Sequence, residues 1–231
     1  MASYNQIGFD ILEILKNNQI SDDADISMEH ILYHIDNQRA LWLSNELNKS
    51  GRSIDPHLIQ DLGCLEIVEV DAAECCSVAI DCIALRTKKK IPPFIELHDR
   101  VAITYVGNVN KLSTSFSLVS QAKVPLMMHN KFTSNDIYAV VLNDYIYIVT
   151  KNPMLQGIEW INVRGVIANP KDILDFRCDV EGTPCFSYED EYPINNRMIP
   201  YIKDKVLQQF GMSLQMPKDN DGNSKDNISK E

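Results

Sequence analysis

At 231 residues the chain is one large domain or two small ones, long enough to bury a core without disulfide or metal staples. Hydrophobic residues at 45% and charged residues at 23% are ordinary for a globular protein, and no apolar run reaches the ~18 residues a membrane helix needs. A net charge of −10 argues against a nucleic-acid reader, which presents a basic face to phosphates.

Taken in chain order, MASYNQIGFD lacks the basic region and apolar core of a secretory signal, so the cytoplasm is the expected place of synthesis. Residues 5–17 read as an amphipathic helix, with Ile7, Ile11, Ile14 and Leu15 on one side. Ser27 caps a second helix from about Met28 to Lys49, which spans about 33 Å. Its apolar side is Met28, Ile31, Leu32, Ile35 and Trp42. Its polar side is Asn37, Gln38, Arg39, Asn45, Glu46 and Asn48, and Gly51 stops it. Asp55 caps a very short helix with Pro56 at its first position and Gly63 closing it.

From about 64 to 167 the apolar period becomes two. Leu65, Ile67 and Val70 alternate with acids, and Val78, Ile80, Cys82 and Ala84 form the next run. Ile91 to Leu97 contains Pro92-Pro93 and is an edge or a bend. Val101, Ile103 and Tyr105 follow. Ile137–Leu142, Asn143-Asp144 and Tyr145–Val149 read as a hairpin, because Asn and Asp tolerate positive φ. Glu159–Val166 is the last strand. Asn169 caps a short helix beginning at Pro170, and a final helix from about Met198 ends at Gly211. The stretch from about Gln215 to Glu231 is too polar to order itself, unless it docks on a partner.

The fold class is therefore α+β. The expected divisions are an N-terminal helical segment (1–63), a central antiparallel β-rich domain (64–168), a C-terminal helical segment (169–214) and a flexible tail (215–231).

Candidate chemistry is sparse. His30 and His34 share a helix face at metal-binding spacing, without the glutamate of the zinc-protease motif or a marked third ligand. Glu189 to Glu191 and the Asp71–Glu74 pair read as solvated acids, and Ser113 to Ser120 contains no nucleophile motif. Lys88, Lys89 and Lys90 read as a solvated hairpin tip or as a phosphate or partner contact. The cysteines at 64, 75, 76, 82, 178 and 185 lack zinc-site spacing. They are expected as reduced thiols, with a Cys178–Cys185 disulfide as the alternative. Trp42 is either core or an interface anchor. No cofactor, metal or catalytic group is expected.

Three stretches carry a resemblance. The first holds Asp36-Asn-Gln-Arg-Ala-Leu-Trp-Leu, Arg52-Ser-Ile-Asp-Pro and Gln60-Asp-Leu-Gly-Cys. The second is Trp160-Ile-Asn-Val-Arg-Gly-Val-Ile-Ala-Asn-Pro, and the third is Tyr192-Pro-Ile-Asn-Asn-Arg-Met-Ile-Pro. Together they resemble the head-to-tail connector proteins of crAss-like bacteriophages. The resemblance implies a structural virion protein that forms a homo-oligomeric, dodecameric ring between portal and tail and extends the DNA channel. Its partners would be the portal, neighbouring ring or tail proteins, and DNA passing without sequence recognition, with no membrane. Interface positions are expected at Trp42, Arg39, Arg52, Met212 and Leu214. The alternatives are a monomeric protein-binding adaptor and an enzyme of unknown class.

Overall fold

The structure, a computed structural model, describes residues 2–17, 26–49, 54–70, 83–98, 100–109, 115–151, 157–177 and 184–215. The side chains of residues 17, 83, 84 and 212–215 are outside that description. Helix α1 (Tyr4–Asn17) opens on a reciprocal cap. Ser3 Oγ accepts from the Gln6 N–H at 3.2 Å, and Gln6 Oε1 accepts from the Ser3 N–H at 3.3 Å. Helix α2 (Met28–Lys49) has the expected bounds, and Ser27 Oγ caps its His30 N–H. The two helices approach closely at Gly8, where a Cβ would lie 2.8 Å from Met28 Sδ.

Helix α4 (Met198–Gln215) buries Met198, Ile202 and Val206, and α3 is a short helix at Val124–His129. α4 runs through Gly211, which was expected to end it, since one glycine costs a helix only about 1 kcal/mol. A Cβ at Gly211 would meet nothing within 4 Å. Gly211→Ala should therefore raise the unfolding free energy by about 0.5–1 kcal/mol, read as a shift in the denaturation midpoint.

Among the described residues, seven strands form one sheet in the order β3-β7-β1-β2-β6-β5-β4. They are β1 (Gln60–Glu69), β2 (Ile83–Thr87), β3 (Ile103–Asn108), β4 (Ser117–Leu118), β5 (Tyr138–Leu142), β6 (Tyr145–Thr150) and β7 (Trp160–Gly165). The pairings are antiparallel except β4 with β5. The central strand β1 pairs with β7 through its first part and with β2 through Ile67–Glu69.

The hairpin β5–β6 turns at Asn143 (φ 51°) and Asp144 (φ 65°), as the two-residue turn requires. Asp55 caps a single 3-10 turn, Pro56–Leu58, and Asn169 caps another, Pro170–Ile173. Pro92-Pro93 lies in a segment that makes only isolated bridges, Phe94 with Ile167 and Glu96 with Val101.

Gly63 does not close the short helix. It sits inside β1 at φ 71°, where the register against β7 shifts between Asp61 and Cys64. A glycine in the left-handed region makes a bulge as readily as a helix cap, and here the cross-strand partners select the bulge.

Side chains alternate across the sheet into two cores. Ala139, Ile146, Ile148, Ile161 and Val163 join the buried faces of α1, α2 and α4. On the opposite face Tyr138, Val140, Tyr147 and Val149 pack against Val124 and Met128 of α3.

Cys64 is a free, half-buried thiol. Cys185 is disulfide-bonded, which corrects the expectation of reduced thiols throughout. Its partner is outside the described residues. The antiparallel bridge between Arg177 and Pro184 brings the ends of the intervening stretch together, the arrangement that closure of a short loop needs.

Candidate assembly subunit and its buried clamps

Asp36 and Arg39 lie one turn apart on the inner side of α2, among Ile31, Leu32, Ile35 and Leu43. Arg39 was expected on the polar side and at an interface. It is 0% exposed in the subunit, where it joins segments of its own chain. Steps of four from Ile35 and to Leu43 put it on the buried stripe.

Its Nε donates to the Pro193 carbonyl at 2.8 Å, and one Nη donates to the Ile167 and Ala168 carbonyls at 2.8 and 3.3 Å. The guanidinium also lies over the Tyr192 ring, 5.6 Å from its centroid. Burial pushes its pKa down, and the facing Tyr192 and Asp36 offset part of that. Asp36 accepts from the Tyr4 and Tyr192 hydroxyls and pairs with Lys171 Nζ at 3.4 Å. The Tyr4 and Tyr192 rings stack with centroids 4.7 Å apart. One clamp thus ties α1, α2, the chain after β7 and the segment before α4.

Burial, and then the facing Asp36, hold both phenols well above their ordinary value of 10.0. A raised folded pKa leaves their contribution intact below about pH 10 and removes it as pH rises further, because the unfolded chain then binds fewer protons than the folded one. The denaturation midpoint should fall steeply above about pH 10. Tyr192→Phe should lose about 1–2 kcal/mol at neutral pH through the lost hydrogen bond, and should show a shallower alkaline decline. An unchanged alkaline slope in that variant would contradict the clamp.

Two smaller clamps repeat the pattern. Asp61 accepts from Gly63 N–H at 2.8 Å, from Asn162 Nδ2 at 2.6 Å and from Arg164 Nε at 2.9 Å, which locks the bulge across β1 and β7. Asp55 accepts from the His57 N–H at 3.1 Å and from Asn195 Nδ2 at 2.8 Å. The His57 N–H, against a smaller burial cost, is the main cause that holds the Asp55 carboxyl below the usual range.

The basic run expected at a hairpin tip follows β2. Lys88 pairs with Glu66 at 2.7 Å and Lys90 with Asp144 at 3.3 Å. The His34 ring packs edge-on against Phe210. Among the described residues there is no group of three His, Cys, Asp or Glu placed to hold a metal, and no helix long and apolar enough to cross a membrane. A cleft of about 760 Å³ lies beside the middle of β1, the end of β3 and the start of β7, with Trp160 and Phe176 in its lining. Its lining residues Val109, Gly157 and Arg177 each adjoin segments outside the described residues.

The five strings that carry the sequence resemblance meet in these clamps. Asp36 and Arg39 join the first stretch to Ile167 and Ala168 of the second and to Tyr192 and Pro193 of the third. Asp55 reaches Asn195, and Asp61 reaches Asn162 and Arg164. A family model described as phage tail ring protein 2 of the crAss group matches residues 6–228. The chain belongs to that family. It is also 25% identical over 235 residues to ring protein 2 of Bacteroides phage crAss001, covering 98% of each chain. A phage structural ring protein needs a rigid subunit and contact surfaces.

In this ring-family chain the clamps supply the rigidity. Of the other expected interface positions, Trp42 is half-buried against the main core. Arg52 is outside the described residues, and Met212 and Leu214 lie on α4 where side chains are not described. Sequence reasoning missed the exposed apolar side chains Leu126 and Phe132, at 74% and 88% exposure, on α3 and the turn after it. The signal was a large apolar residue within the polar run from His129 to Asp136.

Proposed function

We propose that this chain forms a dodecameric ring in the head-to-tail connector of a crAss-like phage, between portal and tail. The observation that carries the reading is the family match, which runs from residue 6 to residue 228. The ring continues the DNA channel, and a net charge of −10 per subunit lets DNA pass by repulsion without adhesion. Head-to-tail packing around a closed axis gives each subunit two different contact faces. One comes from the helices, with Trp42 of α2 at its margin, and the other from the β-rich part. The subunit is made in the host cytoplasm, is retained in the virion and has a structural, non-enzymatic role.

Cross-linking of purified virions followed by mass spectrometry tests the placement. The expected products join two copies of this chain, and join this chain to the portal and to the adjoining ring or tail proteins. Absence of the chain from virions, or cross-links confined to the capsid shell, would overturn it.

A further inference from the structure

A ring of this acidic chain must overcome repulsion between subunits that each carry −10. Contact therefore needs a place where positive and apolar groups stand free. Lys88, Lys90, Lys171 and Lys203 are each held by a carboxylate of the same subunit. Among the described residues no carboxylate pairs with Lys123 or Lys131. They flank α3 and its following turn, with one carboxylate, Asp136, nearby in sequence.

That turn is rigidly built. Thr133 Oγ1 donates to the Met127 carbonyl at 2.8 Å, the Tyr138 hydroxyl donates to the Thr133 carbonyl at 2.7 Å, and Asn130 Oδ1 accepts from the Phe132 N–H at 3.0 Å. The result is a fixed knob that holds Phe132 and Leu126 outward. A rigid aromatic presented in this way loses little entropy on binding.

A matching surface lies across the sheet. The knob packs on one face, and the helices belong to the core of the other. In the helical layer, Phe9 (60% exposed) borders a notch of about 390 Å³ with Glu189 and Glu191 on its wall. Its charge is opposite to that of the two lysines, Glu189 being steadied by the Asn5 Nδ2 donor at 2.6 Å, and its single aromatic lining residue, Phe9, offers a partner for an aromatic ring.

We propose that the α3 knob of one copy, led by Phe132 and Lys131, docks into the Phe9–Glu189–Glu191 notch of the next copy. The contact is heterologous, as ring closure requires. This rests on the ring reading above.

Full-length chain is compared with F132S, with K131E and with K131E combined with E189K, by mass photometry over a concentration series. All three substitutions are at exposed positions, and unchanged circular dichroism controls for folding. F132S and K131E should each raise the half-assembly concentration by roughly tenfold or more, and E189K should recover part of the K131E loss. Unaltered assembly of F132S and K131E, with wild type forming rings, would overturn the knob contact and leave the ring reading intact. Failure of the wild-type chain to assemble at any concentration, alone or mixed with the portal of the same phage, would overturn the ring reading, and the contact with it.

Discussion

Arg39→Ala is expected to lower the unfolding free energy by about 3–5 kcal/mol, the range for breaking a buried charged network by removing one partner. Three carbonyls, of Pro193, Ile167 and Ala168, lose their donor together. Each buried acceptor left unsatisfied costs about 1–3 kcal/mol before any relaxation. The Tyr192 ring loses its cation, and Asp36 loses a nearby positive charge. A loss of this size is a large share of the 5–15 kcal/mol that holds a typical domain together. Arg39→Lys should be intermediate, since one ammonium cannot reproduce the planar fork that reaches carbonyls on two segments. Urea denaturation followed by circular dichroism measures both. A loss below about 1 kcal/mol for the alanine variant would mean that the guanidinium contributes little and the aromatic stack alone joins the segments.

Gly165→Ala should cost about 3 kcal/mol or prevent the sheet from closing. A Cβ there would lie 2.5 Å from the Ala102 carbonyl oxygen and 2.7 Å from Phe94 Cε1. The first neighbour is backbone and cannot rotate away. Gly165 is also the point where β7 faces Gln60 of β1 on one side and Ile103 of β3 on the other. Displacing it shifts both ladders and the Asp61 bulge beside them. Thermal unfolding monitored by circular dichroism should show a melting temperature lower by about 6–12 °C, on the usual scaling for a chain of this size. An unshifted melting curve would show that β3 and β7 can separate without penalty.

Local chemistry was legible in the sequence wherever one segment decides its own conformation. The α2 bounds, the Asn143-Asp144 turn and the caps at Asp55 and Asn169 depend on residues within a few positions of one another. What escaped depends on partners far along the chain. Gly63 has the same backbone requirement in a helix end and in a bulge, and only Asn162 and Arg164, about a hundred residues later, select between them. Arg39 was assigned to the polar side by its residue type, because an arginine is rarely buried unless paired. Its partners are main-chain carbonyls, which no side-chain pattern announces. The central place of β1, flanked by β7 and β2, likewise has no local signature. Helix α3 is six residues long, too short for a periodic signal.

The same distinction explains why the resemblance strings suggested a family but no site. Their distinctive residues, Asp36, Arg39, Asp55, Asp61, Asn162, Arg164, Tyr192 and Asn195, are the ones that clamp distant segments together. They specify a rigid subunit. The surfaces that subunit presents, such as Phe132 and Phe9, lie outside those strings.

The most direct test of the account is negative-stain imaging of the purified full-length chain, alone and mixed with the portal of the same phage. The account predicts closed rings that stack coaxially on the portal, with one rotational symmetry throughout. A chain that stays monomeric at all concentrations and ignores the portal would contradict it.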